Sequence, residues 1–279
     1  MVTKFFKKLF FFLLTLLSFL VLFKIVVGDD YSNDVILDYQ KEKIKSHKNL
    51  DTAFFGDSSC GNAIDAKLYG YKSLNLSLVG DYIVCGSLEM VKMTKKRHPT
   101  LKKVILMHTL DGFNRDKYIF KQINQEKAFF DILIDDLFVF STKIITLNIS
   151  SLFINTNSID NNFDYLSQKN KTDVIIPKVL KSSISEINKK CILDLKEYSK
   201  KNKIDYLFLI GPSTKIKKNK FYYQLMTFFK QNEINFVEQN FLLNEKNIGD
   251  GNDHVANDYK HESTLFYKNI IEKFFKTKK

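Results

Sequence analysis

From Asp51 onward the chain alternates between two hydrophobic patterns. Short apolar runs at Thr52 to Phe55, Ser73 to Val79, Lys103 to His108, Asp205 to Ile210 and Asn235 to Val237 have the length and composition of buried strands. Stretches with apolar residues at helical spacing separate most of them: Tyr82 to Lys96, Ser185 to Lys201, Lys220 to Gln231 and a last one ending at Phe275. Repeated strand and helix predict a parallel sheet, because parallel strands need a crossover and right-handed crossovers cover both faces. The predicted fold class is α/β, a three-layer α/β/α sandwich on a mostly parallel five-stranded sheet. Between Asn114 and Lys181 the pattern loosens. Gln122 to Phe138 reads as helical, Phe140 to Phe153 has strand character, and Asn155 to Lys171 is Asn-rich with little periodicity. No Pro, Gly or Ser linker sets this stretch off, so it reads as an insertion or cap at about 114–181 within a domain of 51–279.

The amino terminus follows a different rule. Leu9 to Phe23 carries no charge, Val26 and Val27 extend it past Lys24, and Lys4, Lys7 and Lys8 precede it. Crossing the hydrocarbon core takes about 20 apolar residues, and Phe5 to Val27 reaches that length if the flanking lysines extend to the interfaces. Positive charge ahead of the segment favours a cytoplasmic amino terminus, with everything after Gly28 outside. Residues 1–28 are therefore expected to be a single-pass anchor in the cell membrane and 29–50 a stalk or first helix, with an extracytoplasmic domain beyond. A cleaved signal peptide, ending at Val26-Val27-Gly28 and releasing a secreted protein, is the alternative; Lys24 and bulky Val27 make a poor processing region.

Charge and cysteine content narrow the function classes. The net charge of +12 is spread over many helix faces without arginine-aromatic clusters, which argues against nucleic-acid binding and suits a neighbour such as anionic lipid or polysaccharide. Cys60, Cys85 and Cys191 are too few and too scattered for a disulfide scaffold or a zinc site, so no metal is expected. Cys60 and Cys85 would pair only if their elements were adjacent; three ordinary buried thiols are the expectation. No Gly-x-Gly-x-x-Gly or Walker sequence follows any strand, so no nucleotide cofactor is expected.

Candidate chemistry begins where the first strand stops at Gly56-Asp57-Ser58-Ser59. Ligands of open parallel sheets bind outside the carboxyl ends of the strands, and this turn stands there. Asp57, Ser58 or Ser59 has a plainer role as an N-cap. A serine nucleophile would need a base from another strand end, and the chain has five histidines. His47, in the polar stalk, and His98, after a run of lysines, read as solvated, and His108, at the end of a strand, as a core or sheet-end residue. His254 lies in "GDGNDHVANDYKHEST", where a Gly, Asp and Asn loop precedes the closing helix.

These residues resemble the SGNH hydrolases, the GDSL-like esterases and acyltransferases, whose sheet is of the flavodoxin-like kind. "FFGDSS" is similar to the first block, which implies Ser58 as nucleophile and its N–H as one oxyanion donor. "NLSLVG" resembles the second, implying the Gly80 N–H as another. At the third, "VILMHTLDGFN" has Thr109 and Asp111 where the family carries an Asn, with Asn114 slightly later, so either Thr109 or Asn114 substitutes as oxyanion donor or the hole has only backbone donors. The last block implies His254 as base with Asp250, or else Asp253, behind it; Asp258 and His261 form the alternative acid-base pair, and Thr264 matches a Thr or Ser that follows in the membrane-associated branch. The resemblance implies a membrane-anchored serine esterase or O-acyltransferase that adds or removes acyl groups, acetyl foremost, on a cell-surface polysaccharide or teichoic-acid-like polymer, without cofactor or metal. A membrane-embedded partner supplying the acyl donor is the expected companion. The competing expectation is a catalytically degenerate scaffold or binding subunit of envelope polymer assembly.

Overall fold

The computed structural model describes residues 34–115, 183–214, 220–249 and 253–277, together with a few helical positions between 7 and 18. Two units divide the chain, 1–35 with 125–157 and 36–124 with 158–279. In the first, the described positions are helical, and Phe10, Phe11 and Phe12 are exposed. Among the described residues no helix is long and apolar enough to cross a membrane. Most of the expected anchor, and nearly all of the expected insertion, lies outside the described residues.

The second unit is built on five parallel strands: β1 (Thr52–Gly56), β2 (Ser73–Asn75), β3 (Lys103–His108), β4 (Asp205–Ile210) and β5 (Phe236–Val237), in the order β2-β1-β3-β4-β5. Its helices are α1 (Asp34–Ser46), α2 (Ser58–Ala63), α3 (Ile83–Arg97), α4 (Glu186–Lys201), α5 (Lys220–Gln231) and α6 (Lys260–Thr277). Successive strand residues point to opposite faces, and both faces are covered. Ala53, Phe55, Val104, Leu106 and Phe208 pack with Leu37 of α1, Leu88 of α3, Ile192 of α4 and Phe229 of α5. Phe54, Ile105, Met107, Leu207 and Leu209 pack with Cys60 of α2 and Tyr267 and Ile271 of α6. Each Val, Leu, Ile, Phe or Met among them contributes about 1.5–3 kcal/mol when withdrawn fully from water. That burial on two sides is why β3 and β4 read as continuous apolar runs.

Local polar groups set the element ends. Ser185 caps α4, its hydroxyl accepting the Asn188 N–H at 3.2 Å. The second strand is shorter than its apolar pattern predicts, because the Asn75 side-chain oxygen accepts the Ser77 N–H at 3.1 Å and its amide donates to the Ile64 carbonyl at 2.9 Å. Beyond it the chain still follows β1, with Leu76 N–H on the Phe54 carbonyl at 2.8 Å and Leu78 N–H on the Gly56 carbonyl at 2.9 Å.

The expectation of three unpaired thiols is corrected. Cys85 of α3 and Cys191 of α4 form a disulfide with Cα atoms 5.2 Å apart, and Cys60 is the free, buried cysteine. The reason is the layer arrangement: α3 and α4 pack together on one face of the sheet while Cys60 sits in the core of the other. Burial pushes the Cys60 thiol up to about 12, which leaves it inert at neutral pH.

Reduction of Cys85–Cys191 should lower unfolding free energy by about 2–4 kcal/mol, measured as a leftward shift of a denaturant transition in the presence of a thiol reductant. Gly56 is required by close approach, since a Cβ there would stand 1.8 Å from the Met107 carbonyl oxygen on β3. Gly56→Ala should therefore part β1 from β3 and cost about 1–3 kcal/mol or more, seen as a lower Tm.

Candidate active site

The turn after β1 is organised around one carboxylate. Asp57, with extended backbone at φ −92° and ψ −172°, caps α2 by accepting the Ser59 N–H at 3.1 Å, and its side chain also accepts the Ser59 hydroxyl. Its other oxygen accepts the Thr109 N–H at 2.9 Å and the Thr109 hydroxyl at 3.1 Å. Asp57 is 4% exposed, so these four donors stand in for water. Together they fasten the carboxyl end of β1 to that of β3. The Asp57 backbone carbonyl takes the Cys60 and Gly61 N–H groups at 3.1 and 3.3 Å. The Ser58 N–H, first in α2, is left with no protein acceptor among the described residues. Ser59 fits because residue 211, just past β4, is glycine; a Cβ there would lie 2.4 Å from the Ser59 oxygen.

A loop folded on its own amides delivers the histidine. Asn247 accepts the Asn244 N–H at 2.7 Å and donates to the Leu242 carbonyl at 3.2 Å. An antiparallel bridge joins Ile248 to Val255, with the Gly249 N–H on the His254 carbonyl at 2.8 Å, and Val255 is wholly buried. His254 Nε2 consequently lies 2.9 Å from Ser58 Oγ, across 196 residues of sequence. Both residues are half-buried, open on one side to a reactant. A hydroxyl at this distance from an imidazole can be deprotonated as it attacks an electrophile.

The other expected site residues fall into place unevenly. Asp253 Oδ1 is 3.7 Å from His254 Nε2, so it flanks the nitrogen that faces Ser58 instead of standing behind the ring. Burial raises the Asp253 pKa above the usual carboxylate value; the charge of His254 opposes that, the Asp57 carboxylate adds to it, and Arg115 opposes it. Asp250 lies outside the described residues. Asp258 and His261 are both exposed on the closing segment, whereas Ser58 meets His254. Thr264 is buried and structural in its contacts, accepting the Asp65 N–H at 2.9 Å, with the Lys260 carbonyl 2.7 Å away. Thr109 directs both its donors to Asp57, which removes it as an oxyanion donor. Asn114 is buried, its N–H on the Asp111 carbonyl at 3.0 Å. Gly80 lies against the guanidinium of Arg115: a Cβ at Gly80 would stand 2.6 Å from Nη1.

Several supports escaped the sequence. Asn188 of α4, fully buried, donates to the Gly112 and Arg115 carbonyls at 3.0 and 3.3 Å and accepts the Val84 N–H at 3.3 Å. His108 and Ser87 lie beneath the turn, with Ser87 Oγ 3.0 Å from His108 Nε2 and His108 Nδ1 3.8 Å from Asp57 Oδ2. All three of these groups are buried, so this second Ser-His-Asp arrangement is sealed from any reactant. Arg115 follows Asn114 directly, and only its position after β3 hinted at a role.

No family model matches the chain, and no curated protein does. Among solved structures the chain is similar to a Bacteroides fragilis protein described as a "putative acylhydrolase", at 11% identity and a TM-score of 0.44, over 85% of this chain and 96% of that one.

The buried histidine sets a pH dependence. Burial lowers the His108 pKa from its ordinary 6.5, with Asp57 only partly opposing. The unfolded chain takes up that proton as pH falls through about 6.5 while the folded chain does not, so stability declines from there down to the folded pKa. His47, lowered by its own burial and by His98, adds to the same slope. Denaturant titrations from about pH 7 to 5 should show this loss, and His108→Asn should lessen it, leaving the His47 share, while lowering the starting stability.

Proposed function

We propose that this protein is a serine esterase or O-acyltransferase, anchored by its amino-terminal segment and acting outside the cytoplasm on acyl groups, acetyl foremost, of a cell-surface polysaccharide or teichoic-acid-like polymer. The observation that carries this reading is the 2.9 Å approach of His254 Nε2 to Ser58 Oγ at the carboxyl end of the sheet. Ser58 attacks the ester carbonyl, and His254 accepts the hydroxyl proton and returns it to the leaving alkoxide. The N–H groups of Ser58 and Gly80 receive the carbonyl oxygen, and Asp250 is the proposed orienting carboxylate. Water resolves the acyl-enzyme in an esterase and a sugar hydroxyl does so in a transferase, with a membrane-embedded partner as the source of acyl groups.

The location rests on separate support. An apolar, lysine-flanked amino terminus suits an anchor. A disulfide between α3 and α4 suits an oxidising compartment.

A fluorophosphonate probe should label the folded protein on Ser58. Ser58→Ala should abolish labelling, and His254→Ala should slow it by on the order of 10⁴-fold or more. A folded, unlabelled wild type would contradict the enzyme reading and leave the scaffold. In cells, surface polymer from a Ser58→Ala strain should match that of a deletion strain in acetyl content.

A further inference from the structure

The geometry points to Arg115 as the side chain that meets the negative charge on the reacting acyl oxygen, an assignment that rests on the acyl-transfer reading above. When Ser58 Oγ bonds to the carbonyl carbon, the π electron pair moves onto oxygen and the hydroxyl proton passes to His254 Nε2. Collapse re-forms the carbonyl and expels the alkoxide, which takes that proton back. In between, the oxygen carries a full charge, and donors fixed in advance at its position are what lower the barrier.

Side chains after β3 are the natural source, since they border the same strand ends. Thr109 is excluded by its two bonds to Asp57. Arg115 has a fixed backbone, its carbonyl held by Asn188 at 3.3 Å. Its guanidinium lies on Gly80, with Nη1, Cζ and Nη2 at 2.6, 3.2 and 3.5 Å from where a Cβ would be. Gly80 in turn lies two residues beyond Leu78, whose N–H bonds the Gly56 carbonyl at 2.9 Å, two residues before Ser58. The same guanidinium is near enough to Asp253 to oppose its raised pKa, and Asp253 is itself 3.7 Å from His254 Nε2. A permanent positive charge with several N–H donors therefore lies against Gly80, the proposed oxyanion glycine, and within electrostatic reach of the carboxylate beside His254. Arg115 is exposed in the free protein. A bound acyl group covers it, and exclusion of water strengthens its pull on the oxygen. The absent side chain at Gly80 is what makes its seat.

The test is the rate at which an uncharged fluorophosphonate labels Ser58, because that probe has no anionic group for an arginine merely to recognise. Arg115→Gln should slow labelling by about 10²-fold, and Arg115→Lys should recover part of the loss. Gly80→Ala, whose Cβ would evict the guanidinium, should slow labelling in the wild-type background and change little further when combined with Arg115→Gln. It reports on the same seat independently should Arg115→Gln fail to fold. Wild-type rates in Arg115→Gln, or a Gly80→Ala loss that is equally large without Arg115, would overturn the assignment. An unlabelled wild type would instead overturn the acyl-transfer reading beneath it.

Discussion

The Asp57 carboxylate is the constraint on which the arrangement depends. It sits where two parallel strands end together, with the Ser59 donors on one oxygen and the Thr109 donors on the other. Parallel strands diverge into separate crossovers at this edge, so their ends are held in register by whatever bridges them. A buried carboxylate leaves four hydrogen bonds unmatched if it is lost, at roughly 1–3 kcal/mol for each stranded group. Because it also caps α2, the same carboxylate fixes the backbone from which Ser58 projects. Ser87, His108 and Asn188 brace this edge from below and from α4.

The alternation of apolar runs and helical stretches was enough to read the sheet, for a physical reason. Strands buried on both faces, such as Val104 to Met107 and Tyr206 to Ile210, need continuous apolar sequence, and the helices between them need an apolar stripe. Where a polar side chain overrides the pattern, sequence misleads: the apolar run after Asn75 reads as strand, yet the Asn75 side chain bonds the Ser77 backbone. The Cys85–Cys191 disulfide was illegible for another reason. Its partners are 106 residues apart, and only the packing of α3 on α4 brings them together.

For the site, the punctuation was informative and the supports were silent. A glycine closing an apolar strand and a Gly, Asp and Asn loop before the last helix both mark sharp turns at the same sheet edge, and the structure places Ser58 and His254 there, 2.9 Å apart. Asn188, Ser87 and Arg115 are single polar residues in helices and a loop, with nothing local to distinguish them from solvated positions. Their importance lies in what they touch: Asn188 is fully buried and bonds three backbone groups, and Arg115 lies against a glycine.

Covalent acyl transfer by the hydroxyl and imidazole joined at this edge is the proposed reaction. Acid-quenching the protein during exposure to an activated acetyl ester, then mapping modified peptides by mass spectrometry, tests it most directly. The expected result is a single acetyl group on Ser58 that disappears with time in wild type and does not form in His254→Ala. Acetylation confined to lysines, or on Ser58 to the same extent with and without His254, would contradict it.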